Sequence, residues 1–280
     1  MNQLINPHQR QPASLLTLLN SVSSNRRLIF QMVKREVVGR YKGSIFGLAW
    51  SFLNPIFMLM IYTFVFSVVF KAKWGEGSTD SKEEFALILF TGMIVFGLFS
   101  EVINRAPSLI ISNVNYVKKV VFPLELLPVI SMGSALFHTL VSLLILMIAF
   151  IFFNGYLPLT IFYTPLIFLP LIFLTLGVSW FLASIGVFMR DVGQTVSLLM
   201  TVLMFVSPIF YPISSLPQEF RGLIALSPVS FIIEQARSIL IFGRQPDWLG
   251  LLTYGFIALI IMFLGYVWFQ KTRKGFADVL

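Results

Sequence analysis

Between Ser44 and Phe70 the chain runs for 27 residues without a single Asp, Glu, Lys or Arg, and Arg35, Arg40 and Lys42 crowd the approach to this run. A bilayer core requires roughly 20 helical residues, so the run can cross a membrane with some tilt. The cations massed at one end also orient it, with that end toward the cytoplasm. Composition extends the conclusion to the whole chain. With 57% hydrophobic residues, 11% charged and a mean hydropathy of +0.87, it lies far from a soluble domain, in which about 25% of residues are charged. The expected fold class is an all-α polytopic membrane protein.

Further apolar runs set the number of crossings. The segment KAKWGEGSTDSKEE at 71–84 ends the first run, since its Gly and Ser break helix and its charges nearly cancel. From Leu126 to Met189 there are 64 residues without a charged side chain, too many for one crossing, and Asn154, Gly155 and Pro158 supply the turn that divides them. The resulting expectation is a cytoplasmic tail at 1–25 and a single transmembrane domain at 26–280, with six spans at about 44–70, 85–104, 126–152, 161–189, 192–211 and 248–270. Because the first span follows a long polar and basic head, no cleavable signal peptide is expected in the usual place.

Two segments fall outside these spans. Over residues 26–42, Phe30, Val33, Val37 and Tyr41 lie within about 80° of one another on a helical wheel, flanked by Arg27, Lys34 and Arg40. This pattern suits an amphipathic helix in the headgroup plane, with an ordinary cytosolic extension as the plainer alternative. The segment 212–247 holds Pro212, Pro217, Pro228 and Pro246 around an apolar stretch at 223–242. Pro228, Glu234 and Arg237 make it a poor seventh crossing, so it is expected to form short re-entrant or interfacial helices, or else a loose external loop. Glu234 and Arg237, three residues apart, can pair on a helix. With both termini cytoplasmic, the inner segments carry a net charge of +9 and the outer loops −1, as the positive-inside rule requires. These cations flank spans and make no free patch, so the basic balance does not indicate nucleic acid.

The sequence also limits the energy source. No GxxxxGK[ST] phosphate loop occurs, and the spans contain no well-buried Asp, Glu, Lys or Arg of the kind that ion-coupled carriers use near the midplane. Both absences point to an external motor. Apart from Glu101 near the end of the second span, His138 is the one ionisable group within a span; its plain reading is helix packing, since a lone His without a carboxylate partner makes a poor relay. There is no cysteine and no cluster of acids or histidines suited to a metal. A membrane-embedded acyl- or glycosyltransferase would need such a base or metal site, so a non-enzymatic role is expected.

The run RxxxxRYKGSxxGxxWSxxNPxxxxxxYxxVFxxVF from Arg35 to Phe70 resembles the start of the integral-membrane permeases in polysaccharide-exporting ABC transporters. The resemblance continues through KKVVFPLELLPV at 118–129, MRDVGQTVSLLMTVLMFVSPIFYP at 189–212, LSPVSFIIEQARSILIFG at 226–243, and FAD near the C-terminus. It implies a bacterial inner-membrane subunit that exports a lipid-linked polysaccharide, with O-antigen as the first candidate. It also implies assembly of two copies with two copies of a separate ABC ATPase, which binds the ATP and Mg, so that this chain needs no cofactor. The alternative within the same architecture is a permease for a small lipid or drug-like amphiphile.

Three groups of residues follow. The segment 107–123 resembles a coupling helix that engages the nucleotide-binding subunit. Ser112 and Asn113 can cap it, Val114, Val117 and Val121 share a face, Lys118 and Lys119 project elsewhere, and Tyr116 lies among them. A simple inter-span loop is the alternative. In span one, Trp50, Asn54 and Tyr62 lie within about 120° of one another, and in span five Ser197, Thr201, Ser207 and Tyr211 add hydroxyls. Aromatic faces and exchangeable hydroxyls suit a sliding sugar chain, and in the resembling permeases spans one and five line the channel between two copies. For Trp50 the alternative is an interfacial aromatic belt. Finally, Arg27, Arg35, Arg40 and Lys42 can attract an anionic lipid head to the cytoplasmic edge.

Overall fold

The computed structural model describes residues 14–69, 74, 82–118, 122–225 and 227–280. Most of the 71–84 loop, and Lys119 and Val121 of the coupling segment, lie outside this range. All regular structure within it is helical. Helix α1 (Leu15–Ser24) starts at a reciprocal cap in which Ser14 Oγ accepts from the Thr17 N–H and the Thr17 hydroxyl oxygen accepts from the Ser14 N–H. Then come α2 (Arg26–Arg40), α3 (Trp50–Tyr62), which continues as a π-helical stretch over Thr63–Val69, and α4 (Lys82–Arg105). Glu83 and Glu84 in the first turn of α4 and Arg105 in its last complement the helix dipole. A short α5 (Val114–Lys118) leads to α6 (Leu126–Asn154), which ends where Gly155, at φ +75°, donates its N–H to the Ile151 carbonyl. The remainder comprises α7 (Thr164–Phe188), α8 (Val192–Val206), α9 (Gln218–Ala225), α10 (Ser230–Leu240), α11 (Trp248–Thr272) and α12 (Phe276–Val279).

Among the described residues, five helical stretches are long and apolar enough to cross a membrane: Gly47–Phe66, Glu83–Ser108, Leu126–Asn154, Leu159–Phe188 and Trp248–Val279. The expected fifth span is shorter than its apolar run. Helix α8 has 15 residues, about 22 Å at 1.5 Å per residue, against a hydrocarbon core of about 30 Å. It stops because Pro208 disfavours helix for Ser207, whose ψ is 148°. Tyr211 then folds back, its hydroxyl donating to the carbonyls of Phe205 and Val206 at 2.9 and 3.1 Å. Two short helices, α9 and α10, occupy the stretch before α11.

Helix α4 is the hub, with Leu87, Val95, Val102 and Ile103 buried against α6, α7 and α10. Helices α7 and α11 cross where Gly177 meets Gly265 backbone to backbone; a Cβ on Gly177 would lie 2.6 Å from the Ile261 carbonyl oxygen. Gly186 of α7 likewise admits the carbonyl of Pro107. A second apolar cluster, beside the α4–α6 connection, gathers Leu18, Ile110, Trp180, Tyr266 and Phe276. By contrast α3 stands at the periphery, with only Ser51 buried and Phe52, Phe57, Met60 and Ile61 exposed.

Helix α2 differs from the expected lipid-facing stripe. Val37 is buried, and Val33 closes on Gly133 of α6, where an added Cβ would come within 2.7 Å of it. Phe30 is exposed. With Tyr41 set edge-on to His138 of α6, three of the four edge residues are therefore spent on the protein itself.

Candidate coupling segment and transport path

The connection from α4 to α6 is built of short turns. Two 3-10 turns, Ala106–Ser108 and Ile111–Asn113, precede α5. The Asn113 amide donates to the Leu109 carbonyl at 2.8 Å, tightening the turn before the helix. Val117 packs into the second apolar cluster and Lys118 points to solvent, while Val114 is half-buried. Tyr116 stacks on Phe122 with ring centroids 4.6 Å apart and accepts a hydrogen bond from Arg35 of α2 at 2.9 Å. At the far end, Glu125 is buried, accepts from Ser21 of α1 and from Arg273 after α11, each at 3.0 Å, and offers its carbonyl to Trp180 of α7. The segment thus touches α1, α2, α7 and the C-terminal tail as well as the two spans it joins.

Two reciprocal ion pairs fasten α2 to the C-terminal end of α4. Glu36 pairs with Arg105, and Arg40 lies 2.8 Å from Glu101. On each helix the charges are four residues apart, so acid and base alternate and only the antiparallel arrangement satisfies both. Of the cations expected to meet a lipid head, Arg35 and Arg40 are thus engaged with Tyr116 and Glu101, while Arg27 and Lys42 are exposed. Tyr41 at the end of α2 has its hydroxyl pKa raised by burial, against the lowering effect of Arg40.

The span-one residues separate. Trp50 donates to Ser44 at 2.8 Å and meets Phe46 edge-on. Asn54 and Tyr62 instead line a half-open cleft of about 230 Å³ between α3, α4 and α6, with Glu101, His138 and Ser142 on its polar side. In α8, Ser197 and Thr201 are exposed, Thr201 donating to the Ser197 carbonyl at 3.1 Å. Ser207 is buried and shares a 2.8 Å hydrogen bond with Ser227. Helices α3 and α8 both pack on α4, and the stretches that follow them meet where Phe66 stacks on Phe210 at 5.7 Å. Within one chain the two candidate path faces are therefore not set opposite one another along their lengths. Among the described residues no group of three or more His, Asp or Glu side chains is arranged to hold a metal.

Residues 27–241 match the profile of the family described as ABC-2 type transporter, most of the chain. The chain belongs to the ABC-2 type transporter family. It is 26% identical over 266 residues, 94% of this chain and 99% of the relative, to the O-antigen export system permease protein RfbA of Myxococcus xanthus. A protein of the same name from Klebsiella pneumoniae is 26% identical over 261 residues, 90% of this chain and 95% of the relative. The polysialic acid transport protein KpsM of Escherichia coli is 23% identical over 244 residues, 86% of this chain and 91% of the relative.

Three features of this ABC-2 chain escape sequence reasoning. Arg237 is fully buried on α10 and donates to the carbonyls of Ile88, Pro208 and Ile209 at 3.2, 2.6 and 2.9 Å, besides pairing with Glu234 at 2.7 Å. Burial lowers its pKa to about 10 against the opposing pull of Glu234. It therefore pins α10 to α4 and to the break after α8, far more than the local pair with Glu234 implies. Glu101 and His138, read separately in the sequence, meet at one cleft. Glu125 is a buried hub rather than a loop acid. The only available signal for all three was a charge inside or beside an apolar run, without any indication of its partner.

Proposed function

We propose that this chain is the membrane subunit of an ATP-driven exporter that moves a lipid-linked polysaccharide, with O-antigen the first candidate, from the cytoplasm across the bacterial inner membrane. Two copies form the path and recruit two copies of an ABC ATPase, which binds ATP and Mg. Both termini are cytoplasmic. The segment 107–123 receives the ATPase movement, with Asn113, Val114, Tyr116, Val117 and Lys118 at the contact together with Lys119 and Val121. Trp50, Asn54, Tyr62, Ser197, Thr201 and Tyr211 serve the path, and Arg27, Arg35, Arg40 and Lys42 draw the anionic lipid head toward it.

The observation that carries this reading is the anchoring of the α4–α6 connection. Pro107 is backed against Gly186 of α7, Tyr116 is tied to Arg35, and Glu125 is tied to Arg273. A push on α5 is thereby shared among several spans, as a subunit without its own phosphate loop requires. The relatives' names supply the cargo class.

The test is where lipid-linked polymer sits after the chain is depleted, beside a strain whose presumed ATPase partner is catalytically dead. Polymer retained in the cytosol in both strains is the expected result. Normal surface polymer in both would remove polysaccharide as the cargo.

A further inference from the structure

The cleft between α3, α4 and α6 has a chemistry that simple helix packing does not explain. At its polar side the Nε2 atom of His138 is buried and has no hydrogen-bond partner. Its Nδ1 lies 3.5 Å from the Tyr41 hydroxyl. The tautomer that lets Tyr41 donate puts the ring proton on Nε2, which becomes a donor without an acceptor. Glu101 Oε1 is also buried and, although 2.8 Å from Arg40, receives no hydrogen bond in line. One buried donor without a partner thus sits at the cleft with a carboxylate already ion-paired to Arg40, beside the Asn54 amide and the Ser142 hydroxyl. In native proteins buried polar atoms left in this state call for a partner.

Gly97 supplies an independent observation. Inside the long helices α4, α6, α7 and α11, Gly92, Gly133, Gly177, Gly186, Gly255 and Gly265 each have a neighbour within 4 Å of a would-be Cβ, and most are in tight contact. Gly97 has none, and it lines the cleft. A helix-interior glycine is worse than alanine by about 1 kcal/mol, and at Gly97 no close helix approach offsets this. The space itself is what the residue preserves.

The ligand class follows from the donor set. A phosphate would be repelled by Glu101, and a divalent cation would find a single carboxylate. An acyl chain would leave the His138 Nε2 unmet. A sugar ring offers hydroxyls that donate to Glu101 and accept from His138, and an apolar C–H face for the wall where Tyr62 lies. The cleft has the volume of about seven or eight liquid waters, enough for one ring. We propose that it is a subsite for a single sugar residue, a reading that rests on saccharide being the cargo.

The test uses the full chain in nanodiscs of phosphatidylethanolamine and phosphatidylglycerol, with methyl β-glucopyranoside and methyl α-mannopyranoside as probes and 1-octanol as the apolar control. Saturation-transfer NMR should show ring protons in contact with the protein. Gly97→Leu fills the cleft from α4 and Ser142→Leu from α6, so a folding defect in one leaves the other to decide. Both should weaken the glycoside signal about tenfold or more and slow polymer export. A glycoside signal unaffected by filling the cleft, or a Gly97-dependent signal from octanol alone, overturns the proposal. If depletion of the chain leaves surface polymer normal while the Gly97-dependent glycoside signal persists, the export reading fails and the subsite stands. If export needs the chain but no such signal exists, the reverse holds.

Discussion

Replacing Arg237 with Leu tests how the outer ends of α4, α8 and α10 are held together. The guanidinium is 0% exposed and serves three backbone carbonyls and Glu234, with Trp74 4.3 Å from its centre on the ring face. The Ile88 carbonyl lies within α4 and keeps its helical partner. Pro208 and Ile209 lie in the non-helical stretch after α8, so their carbonyls lose the guanidinium without a helical replacement. Each buried, unmet carbonyl costs about 1–3 kcal/mol, which puts the pair at about 2–6 kcal/mol. That range brackets the ~3–5 kcal/mol typical of breaking a buried ion pair. At roughly 2–4 °C per kcal/mol the melting temperature should fall on the order of 10 °C. Tryptophan fluorescence during heating in nanodiscs, at one fixed scan rate, measures it. Arg237→Lys should fall between, because one ammonium cannot span carbonyls that a planar fork reaches together. Glu234→Gln should cost well under half as much, since the Glu234 side chain is 38% exposed and water replaces its share. The reasoning is refuted if Arg237→Leu melts within about 2 °C of wild type, or if Glu234→Gln is equally damaging.

The clasp between α2 and α4 predicts that Arg105→Glu lowers export while assembly persists, and that adding Glu36→Arg restores it; a double variant no better than the single one would show that the pair is incidental. Both partners are partly exposed, so the stability change should stay near ~1 kcal/mol and the transport readout should be the larger. Gly177→Leu should abolish folded protein, as judged by size exclusion, because its Cβ falls 2.6 Å from the backbone of Ile261 and Met262, whereas Gly97→Ala should fold normally. Joint replacement of Arg27, Arg35, Arg40 and Lys42 by Gln should reduce polymer export without releasing the ATPase. Unchanged export from that variant would dismiss these cations as the site that attracts the lipid head.

The crossings were legible because membrane insertion is governed by the length of uncharged sequence, which can be read one segment at a time. The same reasoning overextended α8. Its apolar run reaches Tyr211, but Pro208 ends the helix at Val206, and apolar content alone does not reveal that a run will bend. Pro208 was visible. What was not visible was that Arg237, 29 residues on, donates to its carbonyl and makes the bent conformation tolerable.

The polar contacts were hidden for a related reason. A charge beside a span reads as a topology signal, and Arg40, Glu101, Arg105 and Glu36 all serve that role by position. Their pairing goes with α2 packing on α6, where Val33 meets Gly133, so that the charges of α2 reach the end of α4. The arrangement also has a consequence for mechanism. Glu101 joins α2 on one side and the cleft with His138 on the other, while Arg35, one residue before Glu36, holds the coupling segment through Tyr116. Movement of α5 can reach the cleft along α2 without passing through the tightly packed α7–α11 pair. If that route operates, Tyr116→Phe, which keeps the stack on Phe122 but loses the Arg35 hydrogen bond, should lower export per ATP hydrolysed while leaving ATPase binding unchanged. Equal coupling in Tyr116→Phe and wild type would place the transmission in the α4 and α6 backbones instead.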